Sequence, residues 1–380
     1  MKLDEFIRFN IPYRSNKESQ YLENVLNSGK LAGRGEFTLA CENALESMLT
    51  AERVLLTHSC TAALEMSAML LNVEPGDEVI MPSFTFVSTA NAVVLRGGVP
   101  VFVDISPENL CIDVNKVAAA ITSRTVGIIP VHYGGLSCDL LALKVLAREH
   151  NLWIAEDAAQ AIGCYYQNQP LGTFGITSTL SFHETKNISC GEGGALVIND
   201  ASLIERAEIL LDKGTDRSKF FKGAVDKYTW VDIGSSFLPS ELNAAVLLSQ
   251  LEELVSINAN RMKKWKILRD GLELGGSFRV PSSFNKDSHN AHVFPLIATD
   301  TSLRDELLMF LKNRNIGAVF HYLPLHCAMG GLKYGKVSEN LSVTTQVSEC
   351  LVRLPVHTQL SDQQLMRTIS AVNEFVKTYC

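Results

Sequence analysis

The chain has 380 residues, 46% of them hydrophobic and 20% charged, a balance that suits a soluble globular protein with one large domain and one smaller one and a sizeable core. Lys and Arg number 34 against 41 Asp and Glu, a formal net charge of -7, so no basic face invites nucleic acid or another polyanion. No uninterrupted apolar run approaches the roughly 18 residues needed to span a bilayer. Nine cysteines stand singly with no CxxC pair, and the polar start MKLDEFIRFN carries no secretory leader, so a reduced cytoplasm is the expected compartment.

Residues up to about Gly35 read as an arm, with a short helical segment from Ser19 to Ser28 and the loop GKLAGRG. A helix-spaced pattern follows (Phe37, Ala40, Cys41, Ala44, Leu45, Met48, Leu49). Then a regular beat begins. Strands are predicted at Val54 to Thr57, Val79 to Met81, Val101 to Asp104, Val126 to Val131, Leu152 to Glu156, Thr179 to Phe182 and Leu196 to Ile198. Helices are predicted at Ala62 to Leu71, Val87 to Arg96, Val114 to Ala120 and Leu140 to His150. Near-continuous apolar strands joined by helices predict an α/β fold, a mainly parallel seven-stranded sheet covered on both faces, with ligands at the carboxyl ends of its strands.

After a helical run from Leu203 to Leu211 comes KGTDRSKFFKGAVDKYTWVDIGSSF, a long aperiodic segment rich in Lys, Arg and aromatic residues and of the kind that is usually functional. Leu238 to about Asp270 reads as one extended helix opened by Pro239, Ser240 and Glu241. Strand-like FRV and HVFPLIAT, a helix at Arg304 to Lys312, the segment VFHYLPLH and a last helix near Gln363 to Thr378 complete the chain. The expected division is a large domain over residues 1–250, arm included, and a smaller α+β domain over 251–380.

Four strand-end turns carry candidate chemistry. In THSCTAAL, Thr57 to Leu64, a strand passes at once into a helix; taken alone the turn reads better as an ordinary Ser/Thr cap, but with the lysine turn downstream its open backbone N-H groups and helix dipole read as a phosphate site. PSFTFVSTANA offers Phe84 and Phe86; one could stack on a flat ring, and Phe84 reads better as core. EDAAQ offers Asp157, suited to a pyridinium N-H, with Gln160 one turn on, within reach of a ring phenolic oxygen. LSFHETKNISCGEGGA sets Ser181, His183 and Lys186 between a buried-looking strand and a Gly191, Gly193, Gly194 turn.

A lysine in such surroundings is unusual. It would either pair with an acid such as Glu184 or Glu192, or serve as a nucleophile whose pKa burial and neighbouring positive charge depress. His183 alone is more often a satisfied histidine than a catalyst. A covalent amine and a buried counter-charge at converging strand ends suit pyridoxal 5'-phosphate, with the lysine as Schiff-base former and the aspartate keeping the ring nitrogen protonated. HYLPLH, His321 to His326, lacks the further ligands that zinc requires, so no metal is expected.

The ordered set THSCTAAL, MPSFTFVSTANA, PVFVDI, PVHYGG, AEDAAQ, LSFHETKN with GEGGA, and LNAA resembles the DegT/StrS family of sugar aminotransferases, fold type I pyridoxal-phosphate enzymes, along nearly the whole chain. Within it, ETKN, GEGGA, DKYTW, DIGSS and VFHYLPLH are most similar to the dTDP-4-amino-4,6-dideoxygalactose transaminases of surface-polysaccharide pathways. The resemblance implies Lys186 as the cofactor-bound lysine and proton shuttle, Asp157 on the pyridine nitrogen, Gln160 on the ring oxygen and Phe86 as the stacking aromatic. It further implies Ser59, Cys60, Thr61 and Ser181 about the phosphate, and Asn243 reaching the phosphate of a neighbouring subunit, so that a homodimer shares its sites. Related dehydratases carry histidine where this chain has Lys186.

The implied reaction moves an amino group from L-glutamate to C4 of a dTDP-linked 4-keto-6-deoxyhexose. His321, Tyr322 and His326 are expected on the sugar-nucleotide side, and Arg217 and Lys227 near its diphosphate. A C4 enzyme giving the glucose-configured product and a C3 enzyme acting on a 3-keto sugar would use the same cofactor residues. A silent sugar-nucleotide-binding regulator is disfavoured by Lys186 with Asp157. A nicotinamide oxidoreductase lacks a GxGxxG after the first strand.

Overall fold

A computed structural model describes residues 6–221, 223–286 and 288–379; the first half of the start read above for a leader lies outside them. Seven five- or four-residue strands build the central sheet: β1 (Arg53–Thr57), β2 (Glu78–Pro82), β3 (Val99–Val103), β4 (Thr125–Ile128), β5 (Trp153–Asp157), β6 (Thr177–Ser181) and β7 (Gly194–Ile198). Their order is β1-β7-β6-β5-β4-β2-β3, and the two-residue strand Lys336–Val337 joins the far edge beside β3, making eight. All neighbours pair in parallel except β7, which runs antiparallel between β1 and β6. Every predicted strand is present, and the eighth is added by a segment too short to carry a periodic signal.

The strands form where the apolar pattern demands burial on both faces. In β2 and β7 every residue is buried. β6 is also wholly buried despite the sequence TSTLS; two of its hydroxyls are paired inside, Thr177 with Ser67 at 2.6 Å and Ser178 Oγ donating to Gly172 O at 2.7 Å. Such pairing removes most of the cost of burying a hydroxyl. Helices Cys60–Leu70, Val87–Val94, Val114–Ala120 and Leu140–Glu149 link the strands and pack on the sheet.

The expected single helix from Leu238 to Asp270 is two helices, Glu241–Leu251 and Leu254–Gly271. The break falls at Glu252 and Glu253, whose carboxylates turn outward to take hydrogen bonds from Tyr21 and from Tyr13 and Ser15 of the amino-terminal arm. Beyond it, strands Phe278–Arg279, Phe294–Ala298 and Leu351–Leu354 form an antiparallel sheet. One apolar cluster runs from Leu45 and Val54 through Trp265 and Phe294 to Val372. The arm is tied down at fully buried Ile7, which exchanges 2.8 Å backbone hydrogen bonds with Asn315 and Gly317. That tie carries Phe9 and Asn10 toward the ends of the strands.

Candidate active site

A cavity of about 800 Å³ opens at the carboxyl ends of β1, β5 and β6. From the sheet side come Ser59, Cys60, Thr61, Asp157, Gln160, Ser181, His183 and Lys186. The opposite wall is Arg261, His292, His321, Tyr322 and Arg353, with Phe9, Asn10 and Phe86 at the rim. Parallel strands aim their carboxyl ends the same way, which is why four sequence-distant turns meet here.

Ser59 caps helix Cys60–Leu70, its Oγ accepting from Ala62 N at 3.1 Å, and Ala63 N is taken by Ser59 O. The N-H groups of Cys60 and Thr61 keep no acceptor among the described residues, so the positive end of the helix is open to the cavity. Gly194 begins β7 directly behind it: a Cβ there would lie 2.3 Å from Cys60 N. Only glycine lets strand and helix end come this close, and the cradle they form suits a phosphate.

Asp157, buried at the end of β5, accepts from Thr89 Oγ1 at 2.8 Å on Oδ2 and from Ala159 N at 3.2 Å on Oδ1. Lys186 opens into the same cavity, and its Nζ has no hydrogen-bond partner among the described residues. Burial pushes its amine below the ordinary lysine value; Cys60 and Asp157 oppose the shift and Arg353 adds to it. More of the amine is therefore neutral and nucleophilic at a given pH than for a solvated lysine. The alternative ion pairs with Glu184 or Glu192 do not form; Glu192 lies instead 3.7 Å from His183 Nε2.

Gln160 is held at both ends, Oε1 accepting from Gly134 N at 2.7 Å and Nε2 donating to Tyr322 Oη at 2.8 Å. Tyr322 stacks on His321 with centroids 3.7 Å apart, and His321 Nδ1 meets Tyr133 Oη at 2.7 Å. Burial, helped by the charges of Arg353 and Lys186, drives the His321 pKa well below its usual value, so this ring is neutral near pH 7.

Phe84 is core, 1% exposed, whereas Phe86 is 57% exposed at the cavity rim. The remaining expected residues lie outside the cavity lining of this chain. His326 turns away to Ser83, with Nδ1 2.7 Å from Ser83 Oγ. Arg217 reaches Asp212 at 3.6 Å and lies over the Tyr228 ring; Lys227 is exposed on the same loop. Asn243 grips the lysine turn instead, Nδ2 donating to Cys190 O and Glu192 O at 2.9 and 3.0 Å.

Sequence reasoning missed Thr89, Arg261, His292 and Arg353. Thr89 sat inside a motif already noted, one helical turn into its helix, and its hydroxyl spacing from Thr85 was the available signal. The others come from the carboxyl-terminal third, where no local pattern marks them. Also missed was the pair His132 and Glu156 beneath Asp157, both fully buried, with Nε2 2.8 Å from Oε2.

Comparison with known proteins places this geometry among aminotransferases. The aminotransferase TlmJ of Streptoalloteichus hindustanus superposes with a TM-score of 0.91 at 29% identity, covering 99% of this chain and all of its own. PseC of Helicobacter pylori, an aminotransferase involved in the biosynthesis of pseudoaminic acid, gives 0.90 at 26% over 99% of this chain and all of its own. The spore coat polysaccharide biosynthesis protein SpsC of Bacillus subtilis is 29% identical over 99% of this chain and 98% of its own. These likenesses define the class, an enzyme of the fold type I aminotransferase kind. The chain belongs to the DegT/DnrJ/EryC1/StrS aminotransferase family, whose sequence profile matches residues 12–373. It is accordingly a sugar aminotransferase that works with pyridoxal 5'-phosphate, and the open helix end, buried Asp157 and unpaired Lys186 fit that cofactor.

Proposed function

We propose that the protein transfers the amino group of L-glutamate to C4 of dTDP-4-keto-6-deoxy-D-glucose, giving dTDP-4-amino-4,6-dideoxy-D-galactose and 2-oxoglutarate, as a cytoplasmic homodimer with shared sites serving surface-polysaccharide synthesis. The observation that carries the reading is Lys186 and Asp157 facing one cavity beside an open helix amino terminus. The substrate choice is supported by the segment VFHYLPLH, whose His321 and Tyr322 line that cavity.

Pyridoxal phosphate, when bound, supplies an electron sink for the carbon that loses a proton. Asp157, aligned by Thr89, keeps the ring nitrogen protonated so that the sink stays effective. The N-H groups of Cys60 and Thr61, with the Ser59 and Ser181 hydroxyls nearby, hold the phosphate. Lys186 Nζ, with its depressed pKa, binds the cofactor and then carries the proton between the carbon that releases it and the carbon that receives it. Gln160 contacts the ring oxygen, and Phe86 covers the ring face. The neutral His321 ring and Tyr322 hydroxyl orient the sugar by hydrogen bonds.

Incubation with pyridoxal phosphate, L-glutamate and dTDP-4-keto-6-deoxyglucose, followed by NMR of the sugar, tests this. An axial amine at C4 is expected. An equatorial C4 amine identifies the glucose-configured product, and an amine only on a 3-keto substrate identifies the C3 reaction.

A further inference from the structure

Asn187, next in the chain to Lys186 and 3% exposed, joins the lysine turn to the opposite wall of the cavity. Its Nδ2 donates to Asn258 Oδ1 at 2.9 Å and to Asn290 O at 2.8 Å. A backbone carbonyl only accepts, so the amide turns its nitrogen toward Asn290 and its oxygen toward His292, whose Nδ1 lies 3.0 Å away. That oxygen has no hydrogen to give, so His292 Nδ1 must carry one. The backbone around the ring is held as firmly: His292 N donates to Asn290 Oδ1 at 3.1 Å, and His292 O accepts from Arg261 Nη2 at 3.0 Å.

His292 lines the cavity. Burial, with the charges of Lys186, Arg261 and Arg353, drives its pKa well below the usual value, so the ring is neutral near pH 7 and holds a single hydrogen. With that hydrogen on Nδ1, Nε2 is a bare acceptor, and it has no partner among the described residues. Two neighbours on the same wall are of the opposite kind. Tyr322 Oη accepts from Gln160 Nε2 and keeps its own hydrogen to give, and Arg353 has only N-H groups.

We infer that His292 is a specificity-determining residue of the sugar step, its Nε2 accepting a hydrogen bond from the hydroxyl on the ring carbon beside the carbonyl that receives the amine. This rests on the sugar reading above. Ionised carboxylates and diphosphates only accept, so neither the acid groups of an amino donor nor a nucleotide diphosphate can bind at a nitrogen without a hydrogen. The amine of the donor is the group being exchanged. A sugar hydroxyl, by contrast, has a hydrogen to give. Position selects which one: His292 is bonded to the residue after Lys186 and shares its cavity, so Nε2 serves ligand atoms around the reacting carbon. In dTDP-4-keto-6-deoxyglucose the hydroxyl-bearing neighbour of C4 is C3, since C5 carries the methyl group.

The test compares dTDP-4-keto-6-deoxyglucose with the same nucleotide sugar lacking its C3 hydroxyl. Cofactor-loaded wild type, His292→Phe and His292→Gln are first converted by L-glutamate, and the return of the cofactor's visible band is then followed with each sugar. Wild type should favour the hydroxylated sugar about 10- to 100-fold in kcat/KM, because the deoxy analogue leaves Nε2 unpaired. His292→Phe should discriminate about twofold or less, since the two changes remove one and the same contact. His292→Gln, whose amide oxygen supplies an acceptor at similar reach, should retain part of the preference. Equal discrimination by wild type and His292→Phe would overturn the assignment, as would a wild type that does not discriminate, a result that stands even if the phenylalanine variant fails to fold. In nitrogen-15 NMR of histidine-labelled protein, the ring whose signals vanish in either variant should be the Nδ1-H form at pH 7; the Nε2-H form would overturn the assignment without touching the aminotransferase reading. If glutamate removes the wild-type band and neither sugar restores it, the proposed sugar is wrong and the C3 contact falls with it.

Discussion

Thr89 Oγ1 donates a 2.8 Å hydrogen bond to Asp157 Oδ2, joining helix Val87–Val94 to the end of β5 at the floor of the cavity. Both residues are buried. The single hydroxyl hydrogen of Thr89 is committed to the carboxylate, so the 2.9 Å contact with Thr85 must be a donation from Thr85. The two threonines form a short relay that aims Asp157. A hydrogen bond to a charged group contributes about 1.5–3 kcal/mol. Thr89→Val keeps the shape and removes the donor, and should weaken pyridoxal-phosphate affinity roughly 10- to 100-fold in an absorbance titration. Unchanged affinity would show that Asp157 is oriented without Thr89.

Glu156 sets a pH dependence of stability. Burial opposes its charge, but His132 and the N-H groups of Phe174, Gly175 and Gly172 outweigh that and hold its pKa below the usual 4.5. The unfolded chain then binds the proton more readily, so the stabilisation is fully present above the unfolded value and is lost as pH falls through the lower folded one. Glu156→Gln should cost about 3–5 kcal/mol at neutral pH, as breaking a buried pair does. The gap from wild type should narrow in urea titrations below about pH 4. A gap that stays constant would contradict this role.

Asn243 makes the proposed sharing of sites testable. Within the chain both of its Nδ2 hydrogens are donated, to Cys190 O and Glu192 O; in the proposed dimer it exchanges one of these bonds for the partner's phosphate. Mixing inactive Asn243→Ala and Lys186→Ala proteins should then recover about a quarter of wild-type activity, because half the dimers are mixed and each has one intact site. If Asn243 acts only within its own chain, mixing recovers none, and a turnover assay on the mixture separates the two outcomes.

The alternation of apolar strands and helices was legible because burial on both faces of a parallel sheet leaves an uninterrupted apolar run, as in EVIMP and GALVI. The strand-end turns were legible for the same reason: Cys60, Asp157 and Lys186 each follow such a run closely. The break at Glu252 and Glu253 was hidden, since no Gly or Pro marks it and the arm that receives those carboxylates is more than two hundred residues away in sequence. His326 followed His321 and Tyr322 into the expected substrate set, but the turn Leu325–Cys327 directs it to Ser83. Arg353 carried no signal because its orientation in the cavity depends on Phe320 and Phe9, which only the fold brings to it.

The most direct test of the central claim, that Lys186 is the amine of the active site, is borohydride reduction of the cofactor-loaded protein followed by proteolysis and mass spectrometry. The peptide containing Lys186 should carry the cofactor-derived mass, and Lys186→Ala should carry none and show no turnover. Label on another lysine, or persistent label and activity in Lys186→Ala, would contradict the assignment.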